Sequence, residues 1–303
     1  MDQITPSVPF TLKPKWNTSC FGNLNDLDCW VDGFGVTIYG ANVGVRVSDP
    51  SLIPGLKARM PEYAKPMDGP FNETKFDVIM SVILGGKEPG SRTRKFHLSY
   101  QNHTNVGRSH RLEEALDKFD AYLALSVAYL APRHVFIHAG CVGWKGKAII
   151  IPGLTLSGKS SLTKALVEAG CTYYSDEFAV LDKNGRVFAW PKSLSMRENP
   201  TAQQQDVPIE EIGGVQGHKM LEPGLVVMSK YKEGVKWRPK KLTSGETLFG
   251  LMENCVGVRY APDRSMNAMQ AVVAKAKGIK SSRGEAVDVA QRIIDSCEKH
   301  MVQ

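Results

Sequence analysis

The sequence predicts an α/β chain with α+β character: a mixed sheet carrying a P-loop, preceded by a small α+β unit. Three observations lead there. The stretch "AIIIPGLTLSGKSSLTKALVEAG" contains the pattern G-x-x-x-x-G-K-[ST] from Gly153 to Ser160. It lies between an apolar strand and an amphipathic helix, the context a phosphate-binding loop requires. Hairpin patterns flank this segment on both sides, where a parallel-sheet NTPase would have crossover helices. That favours a mixed or antiparallel sheet and argues against a GTPase switch. Alternating apolar strands separated by Gly, between residues 36 and 105, mark a separate unit ahead of the loop.

The elements follow in chain order. Residues 1–35 are rich in Asn, Asp, Pro and Trp with weak periodicity, and are expected to be an arm of open role. "FGVTIYGANVGVRVSD" predicts a hairpin, Val36–Tyr39 against Val43–Val47. "PSLIPGLKARMP" predicts a short helix, "FDVIMSVIL" and "KFHLSYQ" two strands, and "GGKEPGSRTR" the loop between them. From Arg111 to Leu130, Leu112, Leu116, Phe119, Leu123 and Val127 recur every three or four residues, a helical stripe that Pro132 closes. "HVFIHAGCVGW" and "KAIIIP" are two strands around Lys145–Gly146. The loop then opens a helix, Ser161–Ala169, ended by Gly170. "CTYYSDE" follows, and "FAVLDKNGRVFAW" is a hairpin around Asn184–Gly185. "GLVVMSKY" is a buried strand and "SGETLFGLMENC" a helix capped by Ser244; a basic amphipathic stretch, Asn267–Lys277, and a last helix, "GEAVDVAQRIIDSC", complete the chain. The expected domains are therefore the arm 1–35, a small α+β unit 36–110, and a P-loop domain 111–303.

Composition bounds the compartment and the partners. The formal charge is +7 over 303 residues, spread along the chain, without a basic run interleaved with aromatics; nucleic acid is not an expected partner. Six cysteines are scattered with no C-x-x-C pair and no zinc spacing, which fits a reducing compartment. "MDQITPSVPF" lacks the basic and apolar regions of a secretory signal, and no apolar run has the length of a membrane span. A cytoplasmic location is expected, and the N-x-[ST] sequons at Asn17, Asn72 and Asn102 are read as chance matches.

The chemistry is read from a few positions. The fixed glycines of Gly153, Leu154, Thr155, Leu156, Ser157, Gly158, Lys159, Ser160 let backbone N–H groups curl around phosphate oxygens at a helix N-terminus, which Ser161 continues. Lys159 would reach the β- and γ-phosphates, and the Ser160 hydroxyl would complete a Mg²⁺ shell. One helix further on, Asp176 and Glu177 are adjacent carboxylates at a strand end, able to divide the tasks of base and metal ligand in phosphoryl transfer. His138 precedes two small residues on the strand before the loop, and Arg197 and Arg259 are candidate phosphate clamps.

Taken together, "FIHAGCVGWKGKAIIIPGLTLSGKSSLTKALVEAGCTYYSDEFAVL" resembles the catalytic domain of the HPr kinase/phosphorylase-related serine kinases, whose fold is like that of phosphoenolpyruvate carboxykinase. The order of strand with His, hairpin, P-loop, helix and acidic pair is matched by His138, Gly153–Ser160 and Asp176–Glu177. The resemblance is tightest over about residues 130–200 and looser from about 36 to 295. It implies an ATP- and Mg²⁺-dependent serine kinase in which Asp176 is the base, Glu177 and Ser160 share the metal, and His138 and Lys159 support catalysis. Two departures stand out. The usual pair is Asp-Asp, and Glu177 is one methylene longer. The Arg-Gly-rich signature of true HPr kinases is replaced by "PKSLSMRENP", similar to the shorter Pro/Leu/Arg element of divergent members such as lasso-peptide tailoring kinases. The implied acceptor is thus a Ser of a protein or ribosomal peptide and not HPr, with a small-molecule hydroxyl, or nucleotide binding without transfer, as alternatives. Assembly into a homo-oligomer is left open.

Overall fold

The computed structural model describes residues 29–69, 71, 74–87, 90, 92–154, 157–196 and 205–301. Most of the expected arm, Asn17, Asn72, Thr155, Leu156 and Arg197 lie outside them. The chain divides into two compact units, Met1–Pro132 and Arg133–Gln303.

In the first unit, β1 (Asp32–Ile38) and β2 (Ala41–Val47) form the expected hairpin, with Val36 opposite Val43. Tyr39 and Gly40 make its turn, both at positive φ, 50° and 85°, as a two-residue turn matched to strand twist demands. The short helix is α1 (Leu52–Ala58). With β3 (Lys65–Pro66) it carries the chain to β4 (Val78–Ile83), which runs parallel to β2 and therefore needs a crossover. The loop expected next contains a minimal ladder, β5 (Gly86–Lys87) with β6 (Arg94–Lys95). β7 (His97–Gln101) and β8 (Thr104–Ser109) complete a six-stranded sheet ordered β3-β1-β2-β4-β7-β8.

β8, "TNVGRS", carries no apolar alternation and was not expected; pairing with β7 makes it a strand. The turn between them contains Asn102, at φ 50°, whose Oδ1 accepts the Ile79 amide at 3.0 Å. α2 (Leu112–Leu130) packs on β4, β7 and β8, burying Leu116, Phe119, Leu123 and Val127. The expected boundary at residue 111 put this helix with the P-loop half. Its stripe instead completes the core of the first unit, since the helical period shows that a face is buried but not against what.

The second unit is built on a nine-stranded mixed sheet. β9 (Val135–Trp144) and β10 (Lys147–Pro152) form a hairpin around Lys145 and Gly146, at φ 46° and 79°. α3 (Lys159–Glu168) follows, then β11 (Thr172–Ser175) and β12 (Phe178–Leu181), both antiparallel to β9. β12 turns through Gly185, at φ 75°, into β13 (Val187–Phe188), the second expected hairpin. β14 (Leu194–Met196) and β15 (Gln205–Val207) form a separate ladder. β16 (Glu222–Tyr231) is parallel to β10, and β17 (Lys240–Leu242) leads to α4 (Ser244–Glu253). β18 (Cys255–Val256) pairs with β9, and α5 (Pro262–Val273) precedes β19 (Lys277–Arg283), parallel to β16. α6 (Val287–Met301) is the last helix. The strand order is β13-β12-β9-β10-β16-β19-β17, with β11 and β18 also on β9.

Period-two alternation divides the sheet's side chains between two cores. Ile149 and Ile151 of β10 and Leu225 and Val227 of β16 join Leu162 and Leu166 of α3 and Ile293 and Ile294 of α6. Ala148, Ile150 and Val226 face Leu251 of α4 and Ala268, Met269 and Val272 of α5 on the other side. Both faces of β10 are covered, which is why its sequence reads as one continuous apolar run.

Three expectations shift. α4 is capped by Thr243, not Ser244: Thr243 Oγ1 accepts the Glu246 amide at 3.2 Å and Glu246 Oε2 accepts the Thr243 amide at 2.8 Å, a full capping box. The basic stretch Asn267–Lys277 is the end of a helix begun at Pro262 and the first residue of β19. The loop helix starts two residues early, at Lys159, because Gly158 caps it. Among the described residues no helix is long and apolar enough to cross a membrane.

Candidate functional site

β10 ends at Pro152, and the chain turns through the P-loop pattern into α3. The Gly153 amide donates to the His138 carbonyl at 3.3 Å, and a Cβ on Gly153 would lie 2.7 Å from Ser157 Oγ. Gly158 stands at φ 86°, and a Cβ there would come within 2.7 Å of Arg283 Nη2. Space requires both fixed glycines, and backbone conformation requires the second as well.

Three carbonyls of the turn are held, one by the loop's own lysine and two by donors from distant strands. Leu154 O accepts from Lys159 Nζ at 2.9 Å, Ser157 O from the Tyr231 amide at 3.4 Å, and Gly158 O from Arg283 Nη2 at 2.7 Å. Ser157 Oγ is buried with no partner among the described residues. Leu154 is exposed, as is Ser161 on the outer side of α3.

Lys159 is only 7% exposed. Burial depresses its pKa to about 8, against the charges of Asp176 and Glu177, which favour its protonated form. Its buried amine is held on a loop carbonyl and feels the charges of two carboxylates.

Asp176 is the most heavily bonded acid of the site. It is 7% exposed; Oδ2 accepts from the Ser160 hydroxyl at 3.0 Å and the Ser195 amide at 3.1 Å, and Oδ1 from the Tyr173 hydroxyl at 3.0 Å. Burial raises its pKa and outweighs the bonds from Ser195, Ser160 and Tyr173 and the charge of Lys192, which all lower it. The placement has a local cause. Ser175 Oγ accepts both the Glu177 and Phe178 amides at 3.0 Å, turning the chain sharply between β11 and β12. Two acids therefore sit at the strand break, one helix away from the loop.

Glu177 follows a different path. Its carbonyl accepts the Ala139 amide at 3.1 Å, while its Oε2 lies 3.8 Å from Lys192 Nζ. The structure thus ties Ser160 to Asp176, and the Glu177 carboxylate to Lys192. His138 is opposite Phe178 in the β9–β12 register, and its amide donates to Asn254 O at 2.8 Å. Burial, and next the charge of Lys159, depress its pKa to about 4, so its ring is neutral near pH 7. Arg259 is exposed in the turn between β18 and α5.

Metal and nucleotide can be tested against the donors present. The Ser160 hydroxyl hydrogen is engaged by Asp176, which leaves its oxygen lone pairs as ligands. Among the described residues no group of three His, Cys, Asp or Glu side chains could hold a metal by itself. Mg²⁺ is ordinarily held by one or two carboxylates and substrate phosphates. Ser160 and Glu177 fit that pattern, and the orphaned Ser157 hydroxyl is a further polar group without a partner among the described residues.

Several participants had no clear signal in the sequence. Tyr173 reaches Asp176 from three residues upstream, and Ser195 only through the fold, although it lies in the "PKSLSMRENP" element that holds Arg197. Tyr231 ends the strand that the sequence predicts as buried, and Arg283 lies in "KGIKSSR", a polar segment without alternation that only its pairing with β16 and β17 makes a strand.

No protein-family model matches the chain, and no curated protein does. Among solved structures it is similar to that of the Hpr(Ser) kinase/phosphatase from Coxiella burnetii, at 16% identity and a TM-score of 0.34, over 55% of this chain and 96% of that one. The likeness is distant.

Proposed function

We propose that the chain is a Mg²⁺-dependent phosphotransferase that moves the γ-phosphate of ATP to a hydroxyl, with a Ser of a protein or ribosomal peptide as the acceptor. The observation that carries this is Asp176: a buried carboxylate bonded to the residue that follows the loop lysine. A carboxylate offers about four acceptor sites, and the three bonds it accepts leave one for an incoming hydroxyl.

In this reading the acceptor oxygen attacks the γ-phosphorus, the bond to the β,γ-bridging oxygen breaks, ADP departs, and the hydroxyl proton passes to Asp176. Lys159 and the loop amides hold the phosphates. Mg²⁺, when bound through Ser160 and Glu177, would neutralise phosphate charge. His138, neutral beside Lys159, supports the site without adding charge to it. Phosphoryl transfer asks the protein mainly for positioning and electrostatics, which buried groups with few free partners supply.

The test is incubation of the purified chain with γ-labelled ATP, Mg²⁺ and peptide fractions of its host, followed by mass spectrometry. Labelled phosphate on Ser or Thr, absent with Lys159→Ala, is the expected result. ATP that binds yet stays uncleaved with every fraction would refute transfer and leave a nucleotide-binding module. Label on a small molecule alone would refute the peptide acceptor.

A further inference from the structure

We infer that Arg283 is a positioning residue for the nucleotide-binding loop, aiming its amides at the phosphates and adding positive charge behind them; this rests on the reading of the loop as a nucleotide site. Arg283 ends β19 and is 2% exposed, the bulkiest of the fully buried side chains. Nη2 donates to Gly158 O at 2.7 Å and Nη1 to Gly284 O at 2.8 Å, while Nε has no partner among the described residues. Its guanidinium carbon lies 5.7 Å from the Tyr231 ring centroid, and the Tyr231 hydroxyl donates to Glu285 Oε1 at 3.0 Å.

A buried cation of this kind is costly unless its charge is used. Its two hydrogen bonds go to carbonyls, and Glu285 acts on it through space. The bond to Gly158 gives the arrangement its consequence. The peptide unit is planar, so fixing the Gly158 carbonyl also fixes the direction of the Lys159 N–H across the same bond. By the same rule the Tyr231 amide, holding Ser157 O, fixes the Gly158 N–H. Those two amides open the N-terminus of α3, where an anion would be met. The ends of two neighbouring parallel strands, β16 and β19, therefore lock the loop from behind.

Arginine is suited to this position because its rigid fork reaches two carbonyls at once and stays charged when buried. Lysine would keep the charge and lose one of the two bonds; glutamine would lose the charge.

The experiment is titration of wild type, Arg283→Lys and Arg283→Gln with a fluorescent ATP analogue, alongside melting curves with and without ATP. Expected is dissociation constants rising about tenfold or more for Gln and severalfold for Lys, in proportion to the charge and bonds lost. The ATP-induced rise in Tm should shrink in the same order, and KM for ATP should change more than kcat. A purely structural Arg283 would lower the Tm without ATP and leave the dissociation constant of the folded protein at its wild-type value; that result overturns the inference. If the Gln variant does not fold, wild-type affinity in the Lys variant overturns it equally. Failure of wild type itself to bind would strike the nucleotide reading instead.

Discussion

Replacing Asp176 by Asn should separate catalysis from stability. The side chain keeps its shape and loses its charge. Asn Oδ1 can accept from the Ser160 hydroxyl and the Ser195 amide, as Oδ2 does now at 3.0 and 3.1 Å. Asn Nδ2 then faces the Tyr173 oxygen, and the Tyr173 hydroxyl can donate to Lys192 O, already 3.0 Å away. Every donor that Asp176 now accepts keeps an acceptor. Loss of charge assistance weakens the remaining bonds by about 1–2 kcal/mol in sum, but removal of a buried charge relieves a desolvation cost of several kcal/mol. The direction of the Asp176 pKa decides the balance: it is raised, burial being the largest cause. A folded pKa above the unfolded one means that stability is lost as pH rises through the carboxylate range, and that the loss persists at pH 7. Asn carries no such loss. The unliganded variant should therefore melt at the wild-type temperature or a few degrees above it, at ~2–4 °C per kcal/mol. Single-turnover transfer from labelled ATP should fall by about 10²–10⁴-fold if Asp176 is the base, with ATP binding retained. Transfer within about threefold of wild type would refute the base assignment. A Tm lowered by more than about 5 °C would refute the charge argument.

Further outcomes follow from the same geometry. Lys159, with its pKa depressed to about 8, loses its charge above that pH. ATP affinity should then fall with rising pH, by at most about tenfold per unit, and calorimetry in buffers of different ionisation enthalpy should show proton uptake on binding near pH 8. From about 8 up to the ordinary lysine value the unfolded chain holds this proton and the folded chain does not. The contribution of Lys159 to unliganded stability accordingly rises with pH across that window, and Lys159→Met should abolish both dependences. His138, with its pKa near 4, should show constant imidazole NMR shifts between about pH 5.5 and 8; a midpoint near the ordinary histidine value would contradict its burial beside Lys159. Thr243→Ala removes the side-chain half of the capping box on α4, the Oγ1 that accepts the Glu246 amide, and should cost about 1 kcal/mol. Transfer well below the Tm should be unchanged, and a loss of activity there would mean that α4 takes part in the reaction.

The hairpin of β9 and β10, the loop and α3 were legible because each is set by residues close in sequence: an apolar alternation, a two-residue turn, paired glycines and a helical stripe. The "SDE" acids were legible for the same reason, since Ser175, Asp176 and Glu177 make their own turn. The stripe of α2 was equally plain, yet its sheet was not, because amphipathicity records that a face is buried and nothing about its partner. β8 and β19 were missed since neither alternates clearly; ladder bonds from neighbours distant in sequence hold them. Asp176 shows the limit most clearly. The sequence by itself determined that an acid follows the loop's helix. The tertiary structure decided that this acid is buried, that Tyr173, Ser160 and Ser195 donate to it, and that the loop's carbonyls are held by Tyr231 and Arg283. All but the contact from Tyr173 join residues from separate strands and loops, and burial, which shifts the pKa of Lys159, His138 and Asp176, exists only once the strands and helices around them have packed.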